Sequence, residues 1–118
     1  MKYLLLVVLL LPNFAQAEWT SVNTKKEATY IALHVIDWGQ TRYIVEHPEK
    51  YKEASPVIGN NPTLGKVDSY FIKSGIIHIG IGYILPQGYW RDLYQNISIG
   101  VKAGVVGYNY SLGVKVSF

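Results

Sequence analysis

Apolar residues return at intervals of three and four beyond residue 23. Ala28, Ile31, Ala32, Val35 and Ile36 keep the rhythm that lines one face of a helix. Thr24 and Glu27 stand just ahead of them at the spacing of a capping box, so the pattern predicts a helix from about Thr24 to Glu46. Pro48 and the charged run from Glu49 to Glu53 close it. From Ser55 to Gly65 the chain carries two prolines, two glycines and an asparagine pair, which predicts a structured turn region rather than a helix or strand.

The second half sends two conflicting signals. Val67, Tyr70, Phe71, Ile76 and Ile77 suit a helix from about Thr63 to the breaker Pro86-Gln87-Gly88, yet Ile77, Ile79, Ile81 and Tyr83 alternate with His78, Gly80 and Gly82 as in a strand. The conflict returns after Tyr89. Trp90 to Tyr94 reads as a first helical turn, while Ile97, Ile99, Val101, Ala103 and Val105 alternate with Ser98, Gly100, Lys102 and Gly104. Taken as a helix, Gly100 and Gly104 make a small-xxx-small face. The end is more regular: Tyr108, Tyr110, Leu112, Val114, Val116 and Phe118 alternate with polar or small residues, which predicts a short strand. The expected fold is mainly α, about three membrane-associated helices with a short C-terminal strand. The alternative is α+β with a C-terminal β-hairpin.

The first seventeen residues change the picture most. Lys2, the apolar run Leu4 to Leu11, Pro12 and Ala15-Gln16-Ala17 follow the plan of a cleavable export signal cut after Ala17. A run this short falls well below the roughly 20 residues that cross a bilayer. Residues 18–118 are then one small envelope domain, exported to the periplasm or to an envelope membrane, inner or outer. The chain has no cysteine, so no disulfide framework supports it. Its net charge of +3, with acidic and basic residues interspersed, is too mild to imply nucleic acid. Ten tyrosines, three tryptophans and eleven glycines are a bias found at lipid boundaries, where aromatic belts and close-packed glycines gather. The expected partner is a lipid bilayer, together with other envelope proteins or further copies of the chain. Tyr83, Tyr89, Trp90 and Tyr94 flank the apolar stretches and are the expected membrane-interface residues.

Candidate chemistry is sparse. His34 and Asp37 are three apart on the first helix, with Gln40 and Thr41 one turn on, so all four can project together. Two such side chains make an incomplete metal site. The group reads instead as a polar packing site, with His78 or Arg42 the natural partner for Asp37 inside an apolar setting. His47 and His78 otherwise stand alone, and the carboxylates near Glu46 and Glu49 lie in the charged linker. No nucleophile motif or phosphate loop occurs, and the expectation is a protein without catalytic residues, metal or cofactor.

These residues carry two resemblances. The alternation from Tyr108 to Phe118 resembles the last strand of bacterial outer-membrane β-barrels. An eight-stranded barrel at roughly 9 to 11 residues per strand would need nearly the whole exported chain, which the helix and turn from Thr24 to Gly65 oppose. The segment Ile36-Asp37-Trp38-Gly39-Gln40-Thr41, followed by Glu53-Ala54-Ser55-Pro56-Val57-Ile58-Gly59, Pro62 and Gly65, resembles small exported proteins of phages, prophages and Gram-negative bacteria. Those proteins carry D-x-x-Q-T followed by E-x-N-P-x-x-G, and Ser55 stands here in place of the Asn. The resemblance implies an envelope role without a defined reaction, and by size and address an accessory factor in phage-induced host lysis. The alternative is a structural or binding protein of the envelope that causes no lysis.

Overall fold

Three α-helices form the framework of the protein in a computed structural model that describes residues 19–51 and 62–118. They are α1 (Ser21–Glu46), α2 (Leu64–Ile84) and α3 (Tyr89–Ser111). The expected export signal and the part of the expected turn region from Ser55 to Asn61 lie outside the described residues.

The first helix starts three residues earlier than the Thr24–Glu27 spacing predicts. Thr20 is the N-cap: its hydroxyl accepts from the Asn23 amide, and the Asn23 side chain accepts from the Thr20 amide. Glu27 is not free to cap, because its carboxylate is held by His78 and Gln95. Helix α2 opens on Thr63, whose hydroxyl accepts from the Lys66 amide.

The helical rhythm that orders the bundle is polar. On α1 the buried positions Asn23, Glu27, Tyr30, His34, Asp37, Thr41 and Ile44 recur at alternate steps of four and three. On α2 they are Val67, Phe71, Gly75, His78 and Gly82, and on α3 Arg91 and Gln95 start a line continued by Lys102 and Asn109. The predicted apolar face of α1 turns outward instead: Ala28, Ala32, Val35 and Ile36 are exposed. This resolves the strand-like alternation of the second half. On α2, Gly75, His78 and Gly82 fall on the inner side, and Ile76, Ile77, Ile79, Ile81 and Ile84 occupy the outer positions whatever their spacing.

Helices α2 and α3 both lie along α1 and meet each other only sparingly. Their links cluster near the connecting turn, where Gly88 takes a positive φ of 103°. There Arg91 donates to the carbonyls of Gly82 and Leu85, at 2.9 and 2.7 Å, so this buried guanidinium closes the C-terminal end of α2. The Tyr94 hydroxyl donates to the His78 carbonyl.

The predicted C-terminal strand does not form, and no strand occurs among the described residues. Tyr108 to Ser111 complete the last turn of α3, Gly113 (φ 84°) reverses the chain, and Val114 to Phe118 run back over α1. This tail has no ladder partner. It is held by the Ser117 amide donating to the Gly39 carbonyl at 3.0 Å, by burial of Val114, and by Phe118 packing edge-on against Trp38.

Candidate functional site

Polar side chains fill the space between the helices, where a globular bundle places leucines. Among the described residues, nine buried side chains are polar or charged against five that are apolar. Nearly all such groups have partners, as burial in a low-dielectric interior requires.

The interior is built in layers along α1. In the first, His78 Nδ1 donates to Glu27 Oε2 at 2.7 Å, and Gln95 donates to Glu27 Oε1 and to the Asn23 backbone carbonyl while accepting from the Asn23 side-chain Nδ2. The His78 ring is sandwiched between Tyr30 (centroids 3.5 Å apart) and Tyr94 (4.6 Å), and its Nε2 has no hydrogen-bond partner among the described residues. Burial pushes the Tyr30 hydroxyl up to about 12, with the Glu27 charge adding to it. Burial likewise raises Tyr94.

In the second layer Lys102 Nζ lies 2.6 Å from Asp37 Oδ2 and 5.2 Å from the centre of the Phe71 ring. The Thr41 hydroxyl donates to the Asp37 carbonyl, and His34 Nε2 donates to the Phe71 carbonyl at 2.8 Å. The His34 pKa is held below the usual histidine range, chiefly by burial, with the Lys102 charge adding to it. The third layer joins Gln40 to the Val106 carbonyl and to Asn109. On the flank, Arg42 and the Trp38 indole both donate to Asp68, and the Arg42 hydrogen bond is the first cause of its lowered pKa.

Because α2 and α3 diverge from their turn, a cleft of about 890 Å³ opens between them with α1 as its floor. That is within the roughly 300–1,000 Å³ of small-molecule sites. His34, Asp37, Ser74 and Lys102 lie along its base, and Phe71, Val105 and Tyr108 line its sides. Gly100 and Gly104 border the cleft with nothing within 4 Å of where a Cβ would stand, so the small-xxx-small pair meets no helix in this fold.

Of the predicted polar group, His34, Asp37, Gln40 and Thr41 all face inward and are all bonded within the bundle. His78 lies in the adjoining layer. The partner of Asp37 is neither His78, which binds Glu27, nor Arg42, which binds Asp68; it is Lys102. The sequence pattern marks Glu27 as a capping residue and does not single out Asn23, Arg91, Gln95 or Lys102, although the three-and-four rhythm of polar residues includes them all. Among the described residues no group of three or more potential ligands gathers to hold a metal.

The predicted interface aromatics divide. Tyr89 and Trp90 are exposed, at 70% and 61%. Tyr83 and Tyr94 turn inward, Tyr83 stacking on Trp19 at 4.2 Å and Tyr94 on His78. Trp90 is one of several large apolar side chains exposed on α2 and α3, with Ile76, Ile77, Ile84 and Ile97, and with Val101 and Tyr108 along the cleft. No described helix is long and apolar enough to cross a membrane.

No protein-family model, curated protein or solved structure matches the chain.

Proposed function

We propose that this chain is a non-enzymatic protein of the cell envelope that lies on a membrane through the outer face of α2 and α3. The observation that carries this reading is the inversion of polarity. Charged and amide groups are satisfied inside the bundle, while thirteen of the nineteen exposed large apolar side chains among the described residues lie on α2 and α3. A bilayer interface accepts such a face to a depth of about 5–10 Å without a helix crossing. From Gly75 to Leu85 the only polar side-chain groups are the His78 ring, which points inward to Glu27, and the Tyr83 hydroxyl. Tyr89 and Trp90 beside the turn suit the headgroup boundary. The α1 side is mixed: Lys25, Ala28, Thr29 and Ala32 face outward, together with Val22, Val35 and Ile36.

Flotation tests the contact. The purified protein should rise with lipid vesicles through a density gradient, and recovery entirely in the lipid-free layer refutes the membrane seat.

Within the envelope, the role we assign is accessory factor in phage-induced lysis, supported by the likeness of Asp37, Gln40 and Thr41 and the Pro-Gly segment beyond them to small phage and prophage proteins. Induction together with a holin should admit a membrane-impermeant dye faster than the holin alone. An intact barrier would favour a structural or binding role instead.

A further inference from the structure

We propose that the membrane face selects anionic phospholipids, with Lys66 and Lys73 of α2 as the headgroup contacts; this rests on the proposal that the face meets a bilayer. The two lysines are seven residues apart, two turns of helix, so they share one side of α2, and Ile77 and Ile84 continue the same line. Both are exposed, and neither forms an ion pair among the described residues.

The placement of the acids makes this charge uncompensated. Asp68 and Asp92 are the acidic residues of α2 and α3, and each is turned to the flank and bound by a cation of α1, Arg42 for Asp68 and Lys26 for Asp92. Of the remaining described acids, Glu27 and Asp37 are buried inside, and Glu46 and Glu49 belong to the end of α1 and the turn after it. The outer face of α2 and α3 therefore carries two free ammonium groups and no carboxylate. With the helix lying in the interface, Ile76, Ile77 and Ile84 enter the acyl region. The lysine stems lie along it and lift their ammonium groups to the phosphates. Phosphodiester headgroups of net negative charge complement this arrangement, whereas zwitterionic ones offset each phosphate with their own cation.

Each lysine near an anionic surface adds about fivefold to partitioning, the equivalent of roughly 1 kcal/mol. Binding of the intact protein would be measured by flotation with vesicles of phosphatidylcholine alone and of phosphatidylcholine mixed with phosphatidylglycerol. The native protein should prefer the mixed vesicles by about 25-fold, and the preference should shrink as salt rises. The double variant Lys66→Gln/Lys73→Gln should bind both vesicles alike, while Lys25→Gln, on the opposite face, should keep the preference; circular dichroism verifies the helices of each. Equal binding of the native protein to both vesicles overturns the lipid selectivity while leaving the membrane seat. Binding to neither overturns both, and a preference that survives the double substitution overturns the assignment to these lysines.

Discussion

Replacing Lys102 by methionine would leave the Asp37 carboxylate buried without its counter-charge, and this should be the most damaging single change in the bundle. Both side chains are largely covered, at 14% and 10% exposure, and the pair is 2.6 Å apart. Methionine fills the lysine's stem volume, so the loss isolates the charge rather than opening a cavity. Removing one member of a buried ion pair costs about 3–5 kcal/mol, because the remaining charge keeps its desolvation penalty. The lysine's position above the Phe71 ring adds up to about 2 kcal/mol when desolvated, so the expected loss is at least about 3 kcal/mol. A domain of this size holds roughly 5–15 kcal/mol in all. With a urea slope of about 1–3 kcal/mol per molar, the unfolding midpoint measured by circular dichroism should fall by roughly 1–3 M. The double variant Asp37→Leu/Lys102→Met should recover most of that, since an apolar pair of similar volume replaces an ion pair at little or no cost. A loss below about 0.5 kcal/mol for Lys102→Met would mean that water reaches Asp37 and that the polar interior is open.

The same geometry gives two further expected outcomes. His34 titrates below the usual histidine range in the folded chain and near pH 6.5 when unfolded, so its contribution is full above about pH 6.5 and is lost as the medium becomes more acidic. Urea midpoints should fall between neutral and mildly acid pH, and His34→Gln should flatten that fall; an unchanged slope in the variant would assign the dependence elsewhere. At Gly39, an added Cβ would meet Val116 Cγ1 and lie 2.7 Å from Phe118 Cε2, so Gly39→Ala should lift the tail from α1. The Ser117 amide, now bonded to the Gly39 carbonyl, should then exchange with deuterium faster while total helix content stays constant, and unchanged exchange would show that the tail is not held there.

The number and rough extent of the helices were legible in the sequence because breakers mark their limits: Pro48, Pro86 with Gly88, and Thr63 as a cap. Which side faces inward was misread. Hydrophobic periodicity assumes an apolar core, and Ala28, Ala32, Val35 and Ile36 fit that assumption, yet they are exposed while Asn23, Glu27, His34, Asp37 and Thr41 occupy the interior. The polar residues keep a stricter three-and-four spacing than the apolar ones, and that was the available signal. His34, Asp37, Gln40 and Thr41 were recognised as a group from one helix alone. Their partners were not, because Lys102 lies 65 residues from Asp37, and Glu27 lies 51 from His78, and only the packing of three helices brings them together. The terminal alternation misled because Tyr108 to Ser111 are helical, and Gly113 redirects Val114 to Phe118 onto α1.

Fluorescence of single tryptophans tests most directly whether the α2–α3 face is the one that meets lipid. Trp90 is exposed on α3, whereas Trp38 of α1 is tied to Asp68 and Trp19 packs on Tyr83 beneath Arg91. With Trp19→Phe and Trp38→Phe in place, Trp90 should shift to shorter wavelength on adding vesicles and be quenched strongly by lipids brominated near the headgroup end of the acyl chain. A variant retaining Trp38 alone should change little. Strong quenching of Trp38 with Trp90 unaffected, or no response from either, would contradict the account.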